Sequence, residues 1–301
     1  MNLWQQYVRP NSVTEAITAL TSAPGPALPL AGGTDVLLDL QQGRHPPVHT
    51  IVDLTEISEM KAIEIRDGSL FIGAGMPLSR IARNSLVASH AQALVEACDL
   101  IGGPQVRNVA TLGGNVAHAL PAADGTIGLM CLDAQAEITG PSGNRRVPMP
   151  ELFLGPGKSA LQTGEIIVGF YIKIYARGGV PAAENGDGST YASCFKRIMR
   201  PQGVALPIIN NSVWLERDGD TIKQIRIAVG PGGAVPFRAR KAEVFLAGKP
   251  YTNETFHAVL EALIEEVKFR TSAMRGSSEY RYHLVGPLLK DTLETAWERA
   301  K

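Results

Sequence analysis

The chain has 301 residues, with 29 Lys and Arg against 29 Asp and Glu, so its net charge is zero. This length predicts two or three domains, and the balanced charge gives no support to nucleic-acid binding. Residues 1–12 lack the apolar core of a signal peptide, and no run reaches the roughly 18 apolar residues of a membrane span. We therefore expect a cytoplasmic protein, in which the widely spaced Cys98, Cys131 and Cys194 form neither disulfides nor an iron–sulfur cluster.

The first half of the chain alternates short strands and helices. Ser12-Val13-Thr14-Glu15 resembles a capping box and predicts a helix that ends near Leu20. The apolar run Ala27–Leu30 predicts a strand, with a helix to follow at 36–40. Further along, the pattern predicts a strand at 50–54, a hairpin around 66–68, helices at 77–84, 91–101 and 124–132, a turn at 141–144 and a strand at 166–174.

The second half begins with a different composition. Residues 176–189 are rich in glycine and poor in large apolar side chains, which predicts an exposed loop or a domain boundary. The strands that follow, at 191–198, 208–216 and 222–229, form an antiparallel meander, and helices are predicted at 240–246, 253–268 and 284–299. This order indicates an α+β protein with mostly antiparallel strands rather than a regular βαβ series.

Two glycine pairs are the most informative motifs. Ala31-Gly32-Gly33-Thr34-Asp35 follows the first strand-like run, and Thr111-Leu112-Gly113-Gly114-Asn115 follows another at 105–110. Glycine lets backbone N–H groups approach a ligand, and successive inward N–H groups bind anions, with help from the dipole of a following helix. One loop suits one phosphate, so two loops suit the diphosphate of a dinucleotide.

Other nucleotide, metal and hydrolase motifs are missing from the sequence. No G-x-G-x-x-G follows a strand, and Gly155-Pro156-Gly157-Lys158-Ser159 has Leu152 where a P-loop requires glycine, so we interpret it as a surface turn. His45 and His49 are separated by two prolines that forbid the helix needed to align them as metal ligands. No G-x-S-x-G is present, so hydrolase chemistry has no support.

Asp124 and Lys196 each have a local and a functional interpretation. Asp124 starts a predicted helix, where it is either a cap or a carboxylate that accepts hydrogen bonds from a ribose hydroxyl. Lys196 lies on a predicted strand beside Arg197 and Arg200, where it is either part of a solvated face or a cation next to an electron-rich ring.

In this order, these residues resemble the FAD-binding medium subunit of the molybdenum hydroxylases, which include carbon monoxide dehydrogenases, bacterial xanthine dehydrogenases and aldehyde oxidoreductases. The segment 31–38 resembles the first diphosphate loop of the family, and 105–115 resembles the second. Asp124 with 129–134 resembles its ribose-binding stretch, and Phe195-Lys196-Arg197 resembles the start of its C-terminal domain, where the lysine approaches the flavin. The sequence departs from the family at 201–203, where an acidic residue is frequent, and at Gln41, where many members have lysine.

The resemblance implies a fold and a domain division. The fold would be α+β, with a two-subdomain FAD-binding fold of the vanillyl-alcohol-oxidase/MurB type and a C-terminal antiparallel sheet with a helical bundle. The FAD-binding domain would cover 1–176, with subdomains of about 1–55 and 56–176, and the C-terminal domain, with three strands and helices, would cover 190–301. The residues expected to bind FAD are Ala31, Gly32, Gly33, Thr34, Asp35, Val36, Thr111, Gly113, Gly114, Asn115, Asp124 and Lys196.

The resemblance also implies an electron-transfer role. A large partner subunit would carry molybdopterin and oxidise the substrate, and a small partner would pass electrons through [2Fe-2S] clusters. This chain would collect them on FAD and release them to an external acceptor, within a three-subunit complex that is single or doubled. No catalytic base and no metal ligand are expected in this chain.

Two other functions remain open. A free-standing flavoenzyme of the vanillyl-alcohol-oxidase type would oxidise its own substrate, although its usual covalent anchor for FAD is not visible and the C-terminal part is short for a substrate pocket. A non-catalytic assembly module with a decayed FAD site would bind no flavin, although both glycine pairs are intact. A flavin spectrum and the activity of the isolated chain separate these cases.

Overall fold

The computed structural model describes residues 2–175, 190–200 and 206–301. Its strands are β1 Gln6–Val8, β2 Ala27–Leu30, β3 Thr50–Asp53, β4 Ile63–Arg66, β5 Ser69–Gly73, β6 Gln135–Gly140, β7 Gly143–Pro148, β8 Phe153–Gly155, β9 Lys158–Ser159, β10 Ile166–Lys173, β11 Thr190–Met199, β12 Pro207–Asp218, β13 Thr221–Gly230, β14 Phe237–Arg238 and β15 Lys249–Pro250.

The helices are α1 Val13–Ser22, α2 Val36–Gln41, α3 Leu78–Ile81, α4 Ser85–His90, α5 Gln92–Leu100, α6 Pro104–Arg107, α7 Leu112–Ala117, α8 Asp124–Cys131, α9 Arg240–Leu246, α10 Asn253–Glu266 and α11 Ser278–Arg299. Two 3₁₀ turns lie at Ser58–Lys61 and Met149–Leu152. No helix among the described residues is long and apolar enough to cross a membrane.

The N-terminal part forms a small parallel sheet in the order β1-β3-β2. The register pairs Leu30 with Asp53, so β2 and β3 end side by side, and Leu54 N donates to Leu30 O at 2.8 Å. Helix α1 begins where predicted, because the Ser12 side chain accepts a hydrogen bond from Glu15 N. The carboxyl end of β2 thus holds the first glycine pair at the edge of an ordered sheet.

The next part is a five-stranded sheet in the order β4-β5-β10-β6-β7, with antiparallel neighbours. Its central strand β10 is buried along almost its whole length, and Ile72, Phe170, Leu94 and Ile127 belong to the core shared by the sheet and its helices. This core positions α7, which contains the second glycine pair, and α8, which follows it.

The C-terminal part is an antiparallel sheet in the order β11-β12-β13-β14. Alternate residues of β11 enter different cores: Phe195 packs into the core of the five-stranded sheet, and Cys194 packs against the C-terminal helices. The three predicted strands are confirmed, and the structure adds the short strands β14 and β15. Helix α11 starts at Ser278, earlier than the predicted 284.

The outer edge of β11 is covered by side chains. Glu96 on α5 accepts a hydrogen bond from Phe195 N at 2.8 Å, and Arg299 on α11 donates to Ser193 O at 3.0 Å. Arg299 also pairs with Glu96, and the Ser193 hydroxyl accepts from Ala93 N. This edge of the sheet is therefore tied to two helices of the same chain.

Some local predictions were wrong or lie outside the described residues. The run 105–110, predicted as strand-like, contains the helical turn α6, because Pro104 occupies its first turn and favours helix initiation. The single helix predicted at 77–84 is only the turn α3, and α4 was not predicted. The predicted loop at 176–189 and the departure at 201–203 lie outside the described residues, and the domain limits remain predictions.

Candidate functional site

The first glycine pair forms an open loop between β2 and α2. Among the described residues, no protein acceptor takes a hydrogen bond from the backbone N–H of Gly32, Gly33, Thr34 or Asp35. Val36 begins α2, which is only six residues long, so the loop amides rather than a long helix dipole would hold an anion here. Four such amides in succession form a set of donors that suits an anion such as a phosphate group.

The two glycine loops lie side by side. A Cβ atom added to Gly32 would stand 2.2 Å from Val109 O and 2.7 Å from Ala110 Cα, which is closer than any side chain allows. Only glycine therefore permits the first loop to pass directly over the backbone that leads into the second. The structure thus brings together two motifs that the sequence separates widely.

The second glycine pair differs from the first, because its amides are already used. Gly113 N donates to Ala74 O at 2.8 Å, and Gly114 N donates to the Thr111 hydroxyl oxygen at 3.1 Å. A Cβ at Gly113 would come within 2.6 Å of the Ala74 Cβ, so this glycine allows α7 to pack tightly on the strand layer.

The donors that the second loop keeps available belong to side chains. The Thr111 hydroxyl accepts one hydrogen bond and still has its own proton to donate. Asn115 uses its Oδ1 to accept from Thr126 N at 3.2 Å, which leaves its Nδ2 group as a donor.

Asp124 is buried, with a side chain 4 % exposed, at the start of α8. Its Oδ2 lies 2.5 Å from Arg197 Nη1, and its Oδ1 accepts from Asn210 Nδ2 at 2.6 Å. Burial raises the pKa of this carboxyl, while the guanidinium and the amide act in the opposite direction. Each carboxylate oxygen retains a second lone pair that can accept a further hydrogen bond from a hydroxyl group.

Lys196 points away from Asp124, because neighbouring residues of a strand face opposite sides. Its Nζ donates to Asp291 Oδ1 on α11 at 2.5 Å. A cleft opens there between the end of α5, the edge of β11 and α11, and both Lys196 and Arg197 line it together with Leu100 and Pro287. The approach of Lys196 to a flavin stays a prediction.

Three residues at the site were not expected from the sequence. Arg197 and Asn210, both from the C-terminal sheet, hold Asp124, and His118, just after α7, faces Asp35 of the first loop at 3.5 Å. Their distance from their partners along the chain explains why no spacing pattern reveals the contacts. In the sequence, only the position of Arg197 next to Lys196 pointed to one of these three residues.

Metal-binding clusters and reactive thiols are missing from the described residues. These residues contain no group of three or more His, Cys, Asp or Glu side chains that could hold a metal ion. All three cysteines are buried and unpaired, and burial raises the pKa of Cys131 and Cys194 to about 12 and that of Cys98 still higher. Thiols with such pKa values are poor nucleophiles near neutral pH.

The arrangement fits a dinucleotide such as FAD. The free amides of the first loop form a cradle for one phosphate, and Thr111 and Asn115 offer side-chain donors on the adjacent loop. Asp124, at the start of α8, provides a buried hydrogen-bond acceptor. The donors suit an anion, the acceptor suits a hydroxyl, and the close contact between the loops fits neighbouring phosphates.

Known proteins resemble this chain over nearly its whole length. The family model described as the FAD binding domain in molybdopterin dehydrogenase matches residues 3–172, and the CO dehydrogenase flavoprotein C-terminal domain matches 193–296. The xanthine dehydrogenase FAD-binding subunit of Escherichia coli O157:H7 is 33% identical over 291 residues, which are 96% of this chain and 95% of that protein. The carbon monoxide dehydrogenase medium chain of Hydrogenophaga pseudoflava is 29% identical over 98% of this chain and 97% of its own length.

Solved structures give the same result. A carbon monoxide dehydrogenase from Hydrogenophaga pseudoflava that lacks the Mo-pyranopterin moiety of its cofactor matches with a TM-score of 0.90, 27% identity and full coverage of both chains. Quinoline 2-oxidoreductase from Pseudomonas putida 86 matches with a TM-score of 0.86 and 26% identity over 98% of each chain. The chain therefore belongs to the FAD-binding medium subunits of the molybdopterin dehydrogenases, which are components of oxidoreductase complexes such as xanthine and CO dehydrogenases.

Proposed function

We propose that this chain binds FAD, receives electrons from [2Fe-2S] clusters of a small partner subunit and passes them to an external acceptor. A large partner subunit with molybdopterin would carry out the oxidation of the substrate. Bound FAD supplies a centre that takes up electrons singly and releases them in pairs. In this proposal the FAD-binding domain spans 1–176, with parts at about 1–55 and 56–176, and the C-terminal domain spans 190–301.

The observation that carries the proposal is the cradle of four unpaired backbone amides. Residues 32–34 are half-buried and Asp35 is exposed, so these unpaired amides are open to an acceptor from outside the chain, and four such donors in succession suit a phosphate group. The amides of Gly32, Gly33, Thr34 and Asp35 would hold one phosphate.

The remaining site residues would orient the rest of the cofactor. Thr111 and Asn115 would donate hydrogen bonds from the adjacent loop, and Asp124 would accept one from a ribose hydroxyl. Ala31 and Val36 flank the cradle, while Gly113 and Gly114 shape the second loop through their own backbone contacts. Lys196 would place its positive charge on the flavin side of the cleft between α5 and α11.

The partners follow from the same proposal. An electron-transfer subunit without a substrate pocket needs a docked electron donor, and its zero net charge gives no long-range attraction. The contact with the iron–sulfur subunit would therefore depend on shape, over about 1,200–2,000 Å² or more in total. The complex would contain one copy of each of three subunits, or two.

The first experiment tests FAD binding. The purified chain should retain about one non-covalent FAD, and acid precipitation should release it; a folded protein that remains colourless after incubation with FAD would refute the proposal. Gly32→Ala should weaken FAD binding by tenfold or more (about 1.4 kcal/mol), because its Cβ would force the loops apart. Gly155→Ala is the matched control, since nothing lies within 4 Å of its added Cβ.

The second experiment tests the direction of electron flow. The native complex is purified through a tag on this chain, its Mo and Fe are measured, and candidate substrates such as xanthine and carbon monoxide are added without oxygen. Bleaching of the flavin absorbance is expected in the complex and not in the isolated chain. Bleaching of the isolated chain by a substrate would instead indicate a free-standing flavoenzyme.

A further inference from the structure

An acidic side chain lies at the proposed phosphate cradle. The amide of Asp35 is one of the four free donors, yet the residue also carries a carboxylate, and this side chain is 59 % exposed. It makes no capping hydrogen bond to α2, although it precedes that helix. A free carboxylate beside a diphosphate is repulsive, so this position requires a compensating charge.

His118 is placed to provide that charge. It follows α7, the helix of the second glycine loop, and its Nδ1 lies 3.5 Å from Asp35 Oδ2. The pair therefore spans the two loops that would bind the diphosphate. Because His118 is the residue whose charge changes near neutral pH, the charge at the cradle depends on pH.

The other charged groups around His118 and Asp35 have little net effect, so this pair mainly sets the charge at the cradle. Among the described residues, Asp39 and Arg44 also act on His118, but they form an ion pair with each other at 2.7 Å and largely cancel. Helix α7 itself contains no charged residue. The close contact with Asp35 raises the pKa of His118, and the same contact lowers the pKa of Asp35.

We propose that His118 is a further residue of the diphosphate site, which in its protonated form neutralises Asp35 and so permits an anionic cofactor to bind. Loss of the proton leaves the Asp35 carboxylate uncompensated beside the phosphates. Full affinity for FAD is therefore expected below the raised pKa of His118 and falls as the pH rises through it. This inference rests on the proposed FAD binding.

The test measures FAD affinity of the full chain without cofactor, by quenching of flavin fluorescence, at pH 6 and pH 9. The wild-type protein should bind about tenfold more weakly at pH 9, the effect of one moderate like-charge contact. His118→Gln should bind weakly at both pH values, and Asp35→Asn should lose the pH dependence. The double variant Asp35→Asn with His118→Gln should regain most of the affinity lost in His118→Gln. A merely structural role of the histidine would not produce this recovery. His45→Gln is the control, because the ring of this half-buried histidine bonds to the neighbouring Pro46 O and not to Asp35, so the variant should retain the wild-type profile.

Equal wild-type affinity at pH 6 and pH 9 would overturn the role of His118 while FAD binding itself stands. Failure of Asp35→Asn to rescue His118→Gln would overturn it as well. If the wild-type protein binds no FAD at either pH, the proposed function fails too, so the two failures are distinguishable.

Discussion

Replacement of Arg197 by methionine tests the buried ion pair that joins the C-terminal sheet to the candidate FAD site. Both Arg197 and Asp124 are only 4 % exposed, and their charged atoms are 2.5 Å apart. Removal of one member of such a pair leaves an uncompensated buried charge, which typically costs about 3–5 kcal/mol of unfolding free energy. Met fills much of the space of the arginine stem, so the loss reflects charge more than volume.

The expected loss depends on pH in a defined direction. Burial raises the pKa of Asp124, and in Arg197→Met no guanidinium opposes this effect. The carboxyl then takes up a proton in the folded state at a higher pH than in the unfolded chain. The destabilisation is thus largest above this raised pKa and shrinks as the pH falls through it.

Urea unfolding at pH 8 and pH 5, followed by circular dichroism, measures both effects. The double variant Asp124→Asn with Arg197→Met removes both charges of this buried pair, so it should recover most of the lost stability at pH 8. Lys290→Met, which breaks an exposed pair with Glu294, is the control and should cost no more than about 0.5 kcal/mol. A loss below about 1 kcal/mol for Arg197→Met, or a double variant no more stable than it, would refute the reasoning.

Two further changes test the packing of the second loop and the position of the lysine. Gly113→Ala, whose Cβ would stand 2.6 Å from the Ala74 Cβ, should lower the unfolding free energy by about 1–3 kcal/mol in urea, whereas Gly155→Ala should change it little. Lys196→Met should lower the midpoint potential of the bound flavin by about 30 mV, the equivalent of 1.4 kcal/mol for two electrons, because a nearby cation favours the reduced form. Asp291→Asn removes the ion pair but keeps the lysine, so the flavin potential of this variant should not fall. Equal flavin potentials in the wild-type protein, Lys196→Met and Asp291→Asn would show that the lysine lies away from the flavin.

The motifs that a short stretch of chain can specify were predictable. The Ser12 cap gave a helix in the expected place, although the Glu15 side chain accepts from Asn11 N rather than from Ser12 N. The glycine pair at 32–33 became an open loop after a strand. Both features depend on neighbours in sequence. The run at 105–110 was mispredicted, since its residues suit a strand while Pro104 starts a helical turn.

The side-chain contacts at the site were not predictable in the same way. Arg197 reaches Asp124 only because the C-terminal sheet packs against α8, and nothing in the local sequence of either residue indicates the other. His118 likewise meets Asp35 only because Gly32 allows two backbones to touch. Such contacts result from tertiary packing, which local patterns do not encode.

The covered edge of β11 limits how this subunit can assemble. An open ten-residue strand invites another chain to extend the sheet, which is a common route both to docking and to aggregation. Here Glu96 and Arg299 occupy backbone groups along that edge. At Ser193 and Phe195 an approaching chain therefore meets side chains instead of free backbone groups, which blocks strand pairing at this point of the edge.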